Sequence, residues 1–277
     1  MFVEALAGAA LAAACAGKDG WNDPAPPARI FGNSYYVGTC GISAVLVTSP
    51  AGHVLIDGGT PEAGPLVAAS IRRLGFRPGD VRWIVGSHEH FDHAGALAEL
   101  KRQTGARFAA PAGAARLYAA GRSDPVDPQA GVLTGFPPIR VDRPLRDGEV
   151  IRVGPLRVTG HFSPAHAPHG MSWTWTSCEK KLCRRMAFVD SISAISDKTY
   201  RYSRNPARVA AFRRGMDRIA ALPCAVLITP HPGGSNLFPR LAGIAPLADP
   251  NACRTYAQTG RGNLAKRLAD EASGKAP

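Results

Sequence analysis

Residues 86–95 read Gly86-Ser87-His88-Glu89-His90-Phe91-Asp92-His93-Ala94-Gly95. Three of the chain's eight histidines stand here, with Asp92 between the last two. An H-x-H-x-D-H string concentrates three imidazoles and one carboxylate, all of them zinc ligands. On an extended segment, side chains two apart share a face. His88 and His90 can therefore address one ion while Glu89 turns away. Asp92 and His93 come as the chain bends into a helix, so they diverge toward a second position. One string then supplies two ligands to each of two ions, and each ion needs a further ligand from elsewhere. A solvated loop that happens to be rich in histidine would not need this spacing.

The flanking sequence presents the motif at a strand end. The apolar run 81–85 delivers the chain to His88, and 94–102 reads as a helix leaving it. Upstream, short β-like runs at 34–37, 42–48 and 53–56 follow a Pro-rich extended arm at 21–28, and 61–74 has helical spacing. Downstream come a strand at 107–110 and a helix at 112–120. A Gly-, Pro- and Asp-rich stretch at 121–138 then reads as a surface loop, of the kind that forms lids and binding edges. The second half begins again with strands at 149–153, 156–161, 171–176 and 186–189. An amphipathic helix at 206–222, a strand at 225–229 and a closing helix at 249–271 complete it. Each half runs from strands to helix, which predicts an α/β fold: two sheets covered by helices, a four-layer αβ/βα sandwich. No short-period repeat or linker divides residues 15–277, which are expected to form one domain.

The composition narrows the function classes. Hydrophobic residues make up 45% of the 277 residues, enough for a large core, and no run reaches the roughly 20 apolar residues of a membrane span. The formal charge of +12 comes from scattered residues. Its densest patch, Lys180-Lys181 with Arg184-Arg185, lacks the interleaved aromatics of a nucleic-acid surface. Nucleic acid is therefore not an expected partner, and the charge reads as mild steering of anionic small molecules. Residues 1–14 are almost all Ala, Leu and Gly and resemble a secretory signal, although a basic start is missing and Glu4 is unusual. A short buried helix, or a leader with Cys15 acylated, are the other readings of this segment. Six cysteines favour an oxidising, exported setting and structural bridges, and the C-x-x-C spacing of cysteine–zinc sites is absent. Cys178 and Cys183 suit a small closed loop, but six cysteines allow fifteen pairings.

The missing metal ligands have candidates in the second half. His231 follows an apolar strand in Thr229-Pro230-His231-Pro232-Gly233, where prolines on both sides stiffen the backbone. His161, His166 and His169 crowd one loop, and their spacing alone does not choose among them.

At this point the sequence resembles the metallo-β-lactamase-fold hydrolases, and more narrowly the class B β-lactamases of subclass three, whose ligands include no cysteine. The likeness runs from Trp21 nearly to the end. It rests on Tyr35-Tyr36-Val37-Gly38, Leu55-Ile56-Asp57-Gly58-Gly59, the histidine string, Ser172-Trp173-Thr174-Trp175, Asp190-Ser191, Leu222-Pro223-Cys224 and the His231 segment. The resemblance implies that His88, His90 and His166 hold one zinc ion, and that Asp92, His93 and His231 hold a second. It implies substrate contacts at Ser191 and Ser193; the other subclasses carry a cysteine ligand where Ser191 stands. It pairs Cys15 with Cys40, Cys178 with Cys183, and Cys224 with Cys253. One departure matters: the family pattern Gly-His-Thr-Pro-Gly is here Ala165-His166-Ala167-Pro168-His169. A threonine hydroxyl is lost beside His166, and His169 is an added imidazole that could touch substrate, compete for metal or face solvent.

The expected chemistry is zinc-dependent hydrolysis of penicillins, cephalosporins and carbapenems, with Asp92 as the catalytic residue that also orients the attacking water. Two zinc ions together lower the pKa of a shared water to about 7, so no serine nucleophile is required. The expected protein is a periplasmic or secreted monomer conferring antibiotic resistance. Two rivals remain: a thioesterase or lactonase of the same fold, for which Asp190 is a candidate bridging carboxylate, and a non-catalytic zinc-binding protein of the envelope. A nuclease of this fold would need an added domain, for which the chain has no room.

Overall fold

The computed structural model describes the backbone of residues 2–275 and the side chains of residues 7–275; Met1, the start of the expected leader, lies outside them. The chain runs α1 (Phe2–Ala14), β1 (Ala28–Phe31), β2 (Ser34–Tyr36), β3 (Val45–Val47), β4 (His53–Ile56), α2 (Ala63–Arg73), β5 (Val81–Val85), α3 (Phe91–Ala94), α4 (Leu97–Thr104), β6 (Arg107–Pro111), α5 (Ala115–Ala120) and β7 (Arg143–Leu145). The second half continues β8 (Val150–Val153), β9 (Leu156–Phe162), β10 (Met171–Glu179), β11 (Leu182–Phe188), α6 (Pro206–Ala220), β12 (Val226–Ile228), α7 (Leu237–Leu241) and α8 (Ala252–Ala272).

β1 to β7 form one seven-stranded sheet in sequence order, and β12-β11-β10-β9-β8 form a second sheet of five. Three apolar layers hold these parts together. Between the sheets lie Val45, Val54, Ile56 and Val85 from the first and Val158, Trp173, Phe188 and Ile228 from the second. A layer of Leu55, Val67, Ile71, Ile84, Leu97 and Phe108 joins the first sheet to its helices. Ala187, Val189, Phe212, Met216, Ile219 and Leu264 join the second sheet to α6 and α8. This is the expected four-layer sandwich: each strand alternates its side chains between the middle layer and one outer layer.

The differences from the sequence reading lie at short or basic elements. β1 begins within the segment expected as an extended arm, and β7, with Arg143 and Pro144 on an edge strand, lies between the expected loop at 121–138 and the expected strand at 149–153, where no element is predicted. β11 starts at Leu182, earlier than expected, because Cys183, Arg184 and Arg185 extend the hairpin with β10. Cys178 and Cys183 sit directly opposite one another in that ladder. α1 is seated on the body of the fold: Leu11 is fully buried, and a Cβ on Gly8 would run into the Leu241 carbonyl of α7. The bridges are Cys15–Cys40, Cys178–Cys183 and Cys224–Cys253, the pairs the resemblance implied. Among the described residues, no helix is long and apolar enough to cross a membrane.

Candidate metal centre

β4, β5 and β6 run parallel, as do β11 and β12. Their C-terminal ends carry Asp57, His88, Asp190 and His231 to one rim of the sandwich. Cross-sheet bonds hold the histidine string in place. Met171 N donates to Ser87 O at 2.8 Å, and Trp173 Nε1 donates to Gly86 O at 3.1 Å. The string then does what its spacing predicted. His88 and His90 bring their rings to 4.4 Å between centroids, and Glu89 is fully buried.

His88, His90 and His166 each offer a ligand atom, all within 4.8 Å of one another, and His88, Asp92 and His93 form a second such group. His166 is thus the member of the crowded histidine loop that reaches the centre. His231 does not fall within either tight group, but its Nε2 lies 3.4 Å from Asp92 Oδ2, which is also 3.0 Å from His93 Nε2. Asp92, His93 and His231 therefore converge on one carboxylate oxygen.

Whether these residues suit a cation is decided by what holds the opposite sides of their rings. His88 Nδ1 lies 2.8 Å from Asp190 Oδ1, while its Nε2 is buried with no hydrogen-bond partner among the described residues. A buried polar nitrogen left without a partner is costly; a bound cation would satisfy it. His90 Nε2 lies 3.0 Å from Asp127 Oδ2. His166 Nδ1 lies 2.8 Å from Ser193 Oγ and 3.1 Å from Ser193 O. His231 Nδ1 is 3.2 Å from Gly41 O, whereas His93 Nδ1 faces Asp57 Oδ2 at 3.6 Å, beyond hydrogen-bond reach. Partners of this kind fix tautomer and ring orientation in metal sites. The residue set fits a cation.

The electrostatics of the first group agree with that fit. Burial, reinforced by the neighbouring His93 and His90, holds His88 well below the ordinary histidine range. Burial and the same kind of crowding push His166 down to about 3. Both rings are then neutral and keep a lone pair for metal. For His93 burial opposes protonation, but Asp92 outweighs it and raises the ring to about 9. Burial raises the Asp190 carboxyl to about 6 and that of Asp57 to about 7. Asp57 also takes a left-handed backbone, φ 60°, uncommon outside glycine. Ser87 N and Ser87 Oγ secure its carboxylate at 2.6 and 2.7 Å.

Several supporting residues had no signal in the sequence reading. Asp127 lies in the loop expected to be a surface feature, yet it is buried against His90. The same loop is tied down by Ser123 Oγ on Glu89 O at 2.7 Å and by Gly131 N on Asp197 Oδ2 at 3.1 Å. Gln129 Nε2 comes within 3.3 Å of His166 Nε2. His169 is not in either ligand group; its Nε2 pairs with Asp124 Oδ2 of this loop at 2.9 Å. Arg208, on the buried side of α6, donates to the carbonyls of Pro164, Ala165 and His166, so the loop that lacks the family's threonine is clamped from behind. A Cβ on Gly170 would meet Asp190 Oδ2 and Ser163 O, so the approach of these segments requires glycine. The Ser191 hydroxyl makes no hydrogen bond among the described residues. Trp21, half-exposed, packs with its ring tilted against Phe91 at 5.5 Å and His231 at 6.0 Å, at the mouth of the centre.

Comparison with known proteins agrees with this architecture. The structure of the metallo-beta-lactamase MIM-1 from Novosphingobium pentaromativorans superposes with a TM-score of 0.94 at 53% identity, over 96% of this chain and 99% of that one. MEM-A1, a subclass B3 metallo-beta-lactamase from a soil metagenome library, gives 0.88 at 43% identity, over 92% of this chain and 100% of that one. Among curated sequences, a hydroxyacylglutathione hydrolase of Methylobacterium nodulans is 33% identical over 130 residues, 47% of this chain. The chain spans only 42% of the length of that relative. Residues 37–178 match the family model of the metallo-beta-lactamase superfamily. With that match and with two solved metallo-beta-lactamases alike along nearly their whole length, the chain belongs to the metallo-beta-lactamase superfamily.

Proposed function

We propose that this protein hydrolyses the β-lactam ring of penicillins, cephalosporins and carbapenems with two zinc ions, as a periplasmic or secreted monomer that confers resistance. The observation that carries the reading is whole-chain likeness to solved metallo-beta-lactamases, 53% identical in one case, combined with a converging set of imidazole and carboxylate donors. His88, His90 and His166 would hold one ion, and Asp92, His93 and His231 the other. What bound zinc supplies is an acidified water, of pKa about 7, and a Lewis acid for a carbonyl oxygen. The protein's own residues supply the rest. Asp92 would orient the attacking water, since its Oδ2 lies at the meeting point of His93 and His231. Asp190, Asp127 and Ser193 hold the rings behind the first group. The Ser191 hydroxyl, without a hydrogen bond among the described residues, is suited to a substrate carboxylate, whereas the Ser193 hydroxyl already contacts His166. Three disulfides suit an oxidising compartment.

The curated relatives favour a second reading, thioester hydrolysis, because their names include hydroxyacylglutathione hydrolase. Against it, Asp190 directs Oδ1 to His88 Nδ1 and is absent from both groups of ligand atoms, so it is not arranged as a bridge. Turnover of a chromogenic cephalosporin and of a glutathione thioester, each with and without a chelator, separates the readings. Cephalosporin turnover that the chelator abolishes and zinc restores is the expected result. Thioester turnover alone would replace the proposal with the second reading. Zinc binding without either activity would favour the envelope zinc-binding protein.

A further inference from the structure

The outer face of the second sheet holds a cavity that the metal centre does not use. It has a volume of about 340 Å³ and lies between β9, β10 and β11 and the turn after α6, where Pro223 borders it. Arg157 and Arg185 both line it. Neither guanidinium makes an ion pair or hydrogen bond among the described residues. The ladder pairs Thr176 with Arg185 and Thr174 with Thr159. Carried on by two residues, the second register sets Arg157 level with Thr176. Arg157 and Arg185 thus flank one threonine across three strands. No carboxylate lines the cavity. The carboxylate beyond its upper end, Asp147, is taken by Arg218 at 2.6 Å and by Phe162 N at 2.9 Å.

The remaining polar groups are those an anion needs. Thr159, Thr174 and Thr176 add hydroxyls. His161 lines the same space; its Nε2 lies 2.7 Å from Thr174 Oγ1, and its Nδ1 is buried without a partner. Arginine forks match the oxygens of phosphate in paired, charge-assisted hydrogen bonds.

We propose that this cavity binds a small phosphate-type oxyanion, held by Arg157 and Arg185 from either side of Thr176. Its volume takes either inorganic phosphate or a compact phosphomonoester. Burial, followed by the Arg218 charge, lowers His161 to about 4; an anion beside it would raise its titration midpoint.

The test is calorimetric titration of the metal-loaded protein with inorganic phosphate and with glycerol 3-phosphate, while the His161 imidazole resonance is followed by NMR. Saturable binding that raises the His161 midpoint is expected, with affinity falling about tenfold or more in Arg157→Gln and in Arg185→Gln. Both arginines are exposed, so the variants should melt with the parent and keep its hydrolytic turnover. Tighter binding of glycerol 3-phosphate would identify a phosphomonoester as the ligand, and equal or weaker binding would identify free phosphate. An unmoved His161 resonance, or affinity that survives the double variant, would overturn the site and attribute any heat to the metal centre.

Discussion

The two halves of the metal centre are supported in different ways. Behind His88, His90 and His166 stand the side chains of Asp190, Asp127 and Ser193, and all three rings are buried. Behind His231 stands, among the described residues, a backbone carbonyl, that of Gly41, and its side chain is 42% exposed. His93, between them, has Asp57 at the longer distance of 3.6 Å. The first group is thus fixed before any ligand arrives. The second is open on one side, where Trp21 and Phe91 border the approach. Fixed polar groups lose little on reorganisation when charge develops, whereas an open position admits substrate. On the proposed function the contrast would divide the labour: one half would hold its cation more tightly, and the other would meet the substrate.

The comparison can be broken most directly at the ligands. His166→Ala should lower turnover by about 10³-fold or more, the loss of several kcal/mol of charge stabilisation. His231→Ala should be less damaging and should retain one ion per chain by elemental analysis. Equal losses of metal and activity from the two variants would dissolve the distinction. Next comes the support. Asp127→Asn keeps the shape of the side chain but removes its charge from His90, and should weaken metal binding or turnover about 10- to 100-fold. Chelator competition should assign that loss to the first ion.

The second half has a remote support of its own. Cys40 precedes Gly41, and its bridge to Cys15 fixes the segment whose carbonyl holds His231. Replacing both cysteines with serine should cost roughly 3–4 kcal/mol of stability on the chain-entropy estimate, measured by denaturant unfolding. It should also release the second ion at lower chelator concentration while leaving the first unaffected. The smallest effect is expected at His169. Its partner is Asp124 rather than metal, and its side chain is only partly buried, so His169→Ala should change turnover by less than about threefold, the effect of a substitution away from the core and the ligands. Faster amide exchange across 121–138 should accompany it. A large loss of metal would instead make His169 a ligand.

What was readable in the sequence follows the range of the interactions. His88, His90, Asp92 and His93 announce themselves because two-residue alternation and a strand-to-helix turn are local. His231 was readable from its place between prolines at a strand end. The choice of His166 over His161 and His169 needed the family pattern, because all three neighbour one turn. Asp127 was not readable. It reaches His90 across 37 positions from a segment whose Gly, Pro and Asp content is that of an exposed loop. Arg208 was hidden for the opposite reason: α6 has a clear apolar face, and a cation on a helix is ordinarily solvated. β7 and the first half of β11 escaped notice because Pro and Arg on sheet edges carry no alternating apolar signal.

The middle apolar layer has a consequence for how the molecule can be cut. Val54, Ile56 and Val85 from the first half bury themselves against Val158, Trp173 and Phe188 from the second, and bonds from Met171 and Trp173 finish the histidine string. Neither half can cover its inner face alone. A break in the backbone near Asp147 should therefore leave two insoluble fragments, which regain a shared shape and a metal centre only when produced together.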